Sequence, residues 1–152
     1  MNYVKTNMEK TGCSEPELRN KAARYCACAE RCEQEVRDKL RTWGAGESEA
    51  SRIVDYLQAN DYLDARRYCE AYAHDKVCYQ GWGRRKIEVM LHAKHLPDND
   101  IEYALASIDS KEYDRQLQRL LDQKRGQERQ KTIRFLLSRG FTMEEISEKI
   151  FA

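Results

Sequence analysis

The chain has 152 residues, of which 35% are charged and 41% apolar, yet its formal net charge is only +1. That balance excludes a simple polycation, so overall charge gives no support for nucleic-acid binding. No apolar run approaches the ~18 residues needed to span a bilayer, and Met1 through Thr11 holds Lys5, Glu9 and Lys10 but no apolar signal core. The expectation is a soluble, cytoplasmic protein, monomeric and without a membrane partner.

Glu, Lys, Arg, Leu and Ala dominate and no stretch alternates with period two, so every predicted element is a helix. Residues 1–13 lack periodicity and are expected to fray. Ser14-Glu15-Pro16-Glu17 opens the first helix, 14–29, with a capping Ser, Pro in the first turn and Glu at the third position. Such a pair satisfies two orphan amides reciprocally. Helices follow at 32–43, 48–59, 64–78, 83–94 and 98–107, with Pro97-Asp98 and Ser107–Ser110 as breaks. The next is 110–124, where Tyr113, Leu117, Leu120 and Leu121 form an apolar stripe; 127–139 continues it with Ile133, Leu136 and Leu137. Thr142-Met143-Glu144-Glu145 repeats the capping box and starts 143–151. Gly44 and Gly140 fall just past amphipathic stretches, where a left-handed C-terminal residue belongs.

One pattern recurs three times, at a spacing of roughly 45 to 50 residues. It reads Val36, Leu40, Gly44, Ile53 and Leu57; then Ile87, Leu91, His95, Ile101 and Leu105; then Thr132, Leu136, Gly140, Ile146 and Ile150. The last two copies keep the same offsets, whereas the first carries three extra residues around Gly46–Ser48. A unit of this length cannot bury its own apolar stripe, so neighbours must stack. The predicted fold is all-α: an elongated array of three tandem three-helix repeats. Its organisation is an N-terminal segment 1–21, then repeats over 22–60, 61–109 and 110–152.

Signatures of enzymes are missing: no phosphate-cradling Gly loop, no HExxH, no GxSxG. Glu33, Glu35 and Asp38 lie among Arg31, Arg37, Lys39 and Arg41, which reads as solvated ion pairs rather than acid–base machinery. The six cysteines read as small buried hydrophobes. Cys26 and Cys28 point about 200° apart on a helix, which suits neither a disulfide nor one zinc ion. His92 and His95 stand at a metal-compatible spacing without a matching CxxC. No catalytic residue, cofactor or metal is expected.

Two clusters suggest a partner. Between Lys111 and Arg139 nine Lys and Arg face four acids, a local charge of +5, which leaves the remainder acidic by four. That polarity suits nucleic acid or an acidic protein surface. Arg125, Arg129, Lys131, Arg134 and Arg139 are its interface candidates. The second cluster is Gly81-Trp82-Gly83-Arg84-Arg85-Lys86. Three cations opening a helix oppose its dipole at ~0.3–1 kcal/mol each, and a chain that accepts this cost is expected to meet an anionic partner through Trp82, Arg84, Arg85 and Lys86.

At these residues the chain resembles the RecX family. Leu63-Asp64-Ala65-Arg66-Arg67-Tyr68-Cys69-Glu70-Ala71-Tyr72, followed by Gly81 through Ile87 and Leu91, resembles the family's central run. Arg31 through Leu40 resembles its R-x-[ST]-x-x-E-L-x-x-K-L module, and Arg134 through Phe141 its closing R-F-L-x-x-R-G-F. Three departures stand out. Cys32 replaces the usual capping Ser or Thr, a substitution expected to weaken that helix start by ~1 kcal/mol. Met90 replaces a Glu, and His95 replaces a turn glycine.

The resemblance implies tandem three-helix repeats that bind in the groove of the RecA–DNA filament. It implies inhibition of RecA ATP hydrolysis and strand exchange without catalysis, and in some members contact with single-stranded or double-stranded DNA. Three units of roughly 20 Å would reach on the order of 60 Å along such a filament. Two other readings remain open from the residues alone: an independent DNA-binding helical module, and a cysteine-based metal or redox protein.

Overall fold

The structure, a computed structural model, describes residues 12–151; of the stretch 1–13 expected to fray, residues 1–11 lie outside the described residues. Nine helices and no strand make up the described chain: α1 Glu15–Cys28, α2 Glu33–Thr42, α3 Glu47–Ala59, α4 Ala65–Gln80, α5 Arg84–Ala93, α6 Asp98–Ala106, α7 Ser110–Gln123, α8 Arg129–Ser138 and α9 Met143–Ile150. Each falls within two residues of its predicted range. The helices gather into two compact units, one ending at Asp64 and one beginning at Ala65. The first holds α1–α3; the second holds α4–α9, so the second and third repeats lie together.

In the first unit α1, α2 and α3 pack pairwise around Leu18, Ala22, Cys26, Val36, Leu40, Ile53, Val54 and Leu57. The recurring positions Val36, Leu40 and Leu57 are fully buried, and each contributes ~1.5–3 kcal/mol by leaving water. In the second unit α4 packs against α5, α6 and α7, and α8 against α9. Ile87, Leu91, Ile101, Leu136 and Ile146 fill the equivalent positions and are buried. Leu137 departs from the expected stripe and is exposed. It sits about 100° around α8 from Leu136, outside the arc spanned by the buried Thr132, Ile133 and Leu136.

All three second helices end in the same way. The residue after the C-cap is left-handed: Gly44 (φ +92°), His95 (+63°) and Gly140 (+98°). Its amide and the next one turn back on the last carbonyls, as in Ala45 N to Leu40 O at 2.9 Å, Leu96 N to Leu91 O at 3.3 Å and Phe141 N to Leu136 O at 3.1 Å. This is the Schellman closure, and His95 adopts it despite its Cβ.

Helix starts are less uniform. Thr142 and Glu145 form the full box: Thr142 N donates to Glu145 Oε1 at 2.9 Å and Glu145 N to Thr142 Oγ1 at 3.2 Å. At α1 only the Ser14 half is formed, with Glu17 N donating to Ser14 Oγ at 3.4 Å. The Glu17 carboxylate makes no return bond, which corrects the expected reciprocal pair; Ser14 is exposed, so water can serve its amide instead. Cys32 keeps the return bond: its amide donates to Glu35 Oε1 at 3.4 Å, and its thiol donates to the same oxygen at 3.1 Å. All six cysteines are free thiols. Only Cys26, Cys32 and Cys69 are buried, whereas Cys28 is exposed, so the expectation that all are core residues fails at Cys28.

Candidate partner interface

The Trp82 turn joins α4 to α5. Gly81 takes a left-handed conformation (φ +66°) and Trp82 N donates back to Lys76 O at 2.9 Å. The next bonds leave the repeat altogether. Gly83 N donates to Arg139 O at 2.8 Å, and Arg85 N to Gly140 O at 3.1 Å. The orphan amides at the start of α5 are thus filled by carbonyls just past the end of α8, positive helix end against negative. This is how three cations can open α5: partner carbonyls supply the negative charge that acidic side chains ordinarily provide there.

Such a joint needs two glycines. A Cβ on Gly83 would stand 2.3 Å from the Gly140 carbonyl carbon and oxygen and 2.5 Å from Phe141 N; one on Gly140 would stand 2.4 Å from Lys86 Cβ. Both obstacles are close to the backbone and cannot swing away.

The predicted interface residues divide by what already holds them. Arg84 is tethered within the second unit: its amide donates to the Tyr113 hydroxyl at 3.1 Å, its Nε to Leu105 O at 3.4 Å, and its guanidinium lies 4.0 Å over the Tyr113 ring and 3.8 Å from Glu145. Arg139 donates from Nη1 to Gln80 O at 3.0 Å, closing the end of α4. Trp82 is half-buried, edge-on to Tyr72 at 6.4 Å, with Lys76 and Lys86 at 4.8 and 4.4 Å from its ring centre. Arg125 pairs with Asp122 at 2.9 Å, and Arg129 lies over Phe151. Arg85, Lys131 and Arg134 are exposed and pair with no carboxylate among the described residues.

Tyr113 is the buried centre of the joint. Its ring meets Phe141 at 5.4 Å. Burial, above all, pushes its hydroxyl well above the usual tyrosine range; the Arg84 amide opposes that shift, and Glu145 adds to it.

The first unit carries a similar surface that sequence reasoning missed. Tyr25 and Trp43 meet edge-on at 6.3 Å. Lys21 sits 4.6 Å from the Trp43 ring centre, and Arg31 and Lys39 sit 3.9 and 5.6 Å from that of Tyr25. Aligning Val36 with Ile87 places Tyr25 opposite Lys76 and Arg31 opposite Trp82. The two repeats therefore make the same cation–ring contact with the partners exchanged: ring on the helix and cation in the loop, then the reverse. The helix carbonyl accepts a bond in both repeats, from the Arg31 side chain (Nε to Tyr25 O, 3.1 Å) in one and from the Trp82 main-chain amide (to Lys76 O) in the other. An alignment that scores identity alone does not find this exchange; the repeat register does.

Three tandem three-helix units, closed by one type of turn and dressed with cations held on aromatic rings, define a helical-repeat scaffold. Among the described residues no group of His, Cys, Asp and Glu converges on a metal-sized site, and no helix is long and apolar enough to cross a membrane. Family models for the first, second and third three-helix domains of RecX match residues 19–57, 64–105 and 111–150. The chain belongs to the RecX family of regulatory proteins.

It is 32% identical over 129 residues to the regulatory protein RecX of Clostridium botulinum (strain Eklund 17B), which covers 78% of this chain and 59% of that relative. It is 28% identical over 121 residues to the Vibrio parahaemolyticus protein of the same name, with 74% and 76% covered. The crystal structure of RecX from Lactobacillus salivarius superposes with a TM-score of 0.74 at 25% identity, covering 88% of this chain and 92% of the other. The chain thus spans under two thirds of the clostridial relative's length.

Proposed function

We propose that this protein is a non-enzymatic, monomeric, cytoplasmic regulator that binds the RecA–DNA filament and restrains RecA ATP hydrolysis and strand exchange. Family membership supports the reading. The observation that carries it is the set of cations left without an acidic partner, Arg85 at the start of α5 and Lys131 and Arg134 on α8. An exposed cation that contributes to no internal pair is available to an anionic surface, whether protein or phosphate. Trp82 and Lys86 lie near Arg85 in sequence; Arg129, over Phe151, and Arg125, already paired with Asp122, are further contact candidates. Arg84 and Arg139 support it by holding the joint. The test is ATP hydrolysis and strand exchange by the cognate RecA with the protein at stoichiometric amounts. Both should fall; unchanged rates would end the proposal. DNA affinity measured without RecA and falling steeply with added salt would instead favour a free-standing DNA-binding module.

A further inference from the structure

Between α4 and the start of α7 lies a cavity of about 370 Å³, within the size range of small-ligand sites. Its floor is apolar: Ala73 and Val77 are buried and Ile108 half-buried. Three carboxylates line it, Glu70 from α4 and Asp109 and Glu112 from α7, with no Lys or Arg among the lining side chains. Glu112 is engaged with Arg115 and with Gln116, and Asp109 commits Oδ1 to the Lys111 amide at 3.1 Å. Glu70 has no partner among the described residues. At the wall Tyr79, 75% exposed, stands edge-on to His74 at 6.5 Å. Burial, above all, pushes up the Cys78 thiol in the same wall; Glu112 and Asp75 add to that shift and Arg115 opposes it. The cavity lies outside the Gly83–Gly140 joint and uses none of the cations assigned to the filament.

We propose that this cavity binds an aliphatic cation, its ammonium or guanidinium head held by Glu70 and the uncommitted oxygen of Asp109 and its alkyl stem laid on Ala73, Val77 and Ile108. An anion is repelled by the three carboxylates. A neutral hydrocarbon would desolvate them and return nothing. A cation with a stem satisfies both halves, each methylene it buries adding about fourfold in affinity and the Tyr79 ring face offering a further contact. Two sources share this chemistry, a free diamine and a lysine side chain presented by a partner protein.

The test is a methyl NMR titration of the full chain with cadaverine, with N-acetyl-lysine methylamide and with pentanol at matched ionic strength. Saturable shifts of the Ile108 and Val77 methyls are expected with both cations, at least about tenfold weaker with pentanol. Glu70→Gln should weaken the cations about threefold, as befits a partly exposed ion pair. Tighter cadaverine binding assigns the cavity to a free diamine, and tighter binding of the lysine derivative assigns it to a partner's side chain. Absence of shifts with either cation, equal shifts with pentanol, an unaltered affinity in Glu70→Gln, or matching shifts of the Ile53 methyl in the other unit would each overturn the proposal.

Discussion

Substituting Gly83 by Ala isolates the contact that joins the second and third repeats. The new Cβ would lie 2.3 Å from the Gly140 carbonyl and 2.5 Å from Phe141 N, whereas carbon atoms rest ~3.5–4.0 Å apart. The two backbone segments must therefore separate by roughly 1 Å or more. That movement breaks the 2.8 Å bond from Gly83 N and strains the 3.1 Å bond from Arg85 N. An orphaned buried amide costs ~1–3 kcal/mol and residual overpacking ~1–3 kcal/mol. Because separation relieves some of the second by incurring the first, the expected loss is ~2–5 kcal/mol. Urea unfolding followed through Trp82 fluorescence in a Trp43→Phe background reads the second unit alone, since Trp43 and Trp82 are the only tryptophans. Gly140→Ala should cost a comparable amount, and the double variant less than their sum, because both break one contact. A loss below ~1 kcal/mol for Gly83→Ala would refute the reasoning.

Other expectations follow from single contacts. His95→Gly should stabilise the second unit by ~0.5–1 kcal/mol, relieving a left-handed Cβ at some cost in unfolded-state entropy; a lower urea midpoint would contradict this. Arg84→Ala should cost ~1–2 kcal/mol through the lost Tyr113 and Leu105 contacts, whereas Arg85→Glu should leave the urea midpoint unchanged and weaken inhibition of RecA. Equal inhibition by the Arg85→Glu variant would move the contact elsewhere. Leu91→Ala or Leu136→Ala, both at fully buried positions, should lose ~2–5 kcal/mol, checked by the same denaturation. Tyr113 keeps its proton in the folded state at a pH where the unfolded tyrosine, with its ordinary value of 10.0, has lost it. Stability should therefore be untouched by this group below about pH 10 and fall as pH rises beyond it; Tyr113→Phe should flatten that alkaline slope, and an identical slope would exclude the group.

Local rules carried much of the fold. The i, i+4 spacing of Val36 and Leu40, Ile87 and Leu91, and Ile146 and Ile150 placed three helices without reference to any neighbour, because a helix repeats its face every few residues. Turn chemistry located Gly44 and Gly140 for the same reason: a left-handed residue is a local demand. The family resemblance marked His95 as a departure, and the structure shows the turn forming there anyway. Where the sequence reading overreached, it treated partnership as local too. Ser14 and Glu17 have the spacing of a capping box, but that spacing does not decide whether the carboxylate turns back or faces water. Leu137 has an apolar side chain at a position that only the packing of α8 could mark as exposed.

The candidate interface divides along the same line. Sequence alone determined that the chain is helical, that one building block occurs three times, and that cations cluster at the Trp82 turn and across 111–139, since these depend on periodicity and composition along the chain. Tertiary structure alone decided which of those cations are available. Arg84 and Arg139 are consumed by Tyr113, Glu145, Leu105 and Gln80, residues 21 to 61 positions away in sequence, while Arg85, Lys131 and Arg134 meet no acid among the described residues. The two glycines flanking Trp82 were legible as unusual, but only the approach of Gly140, a whole repeat downstream, explains Gly83. A side chain's charge is written in its own letter; whether that charge is already spent depends on what the folded chain brings beside it.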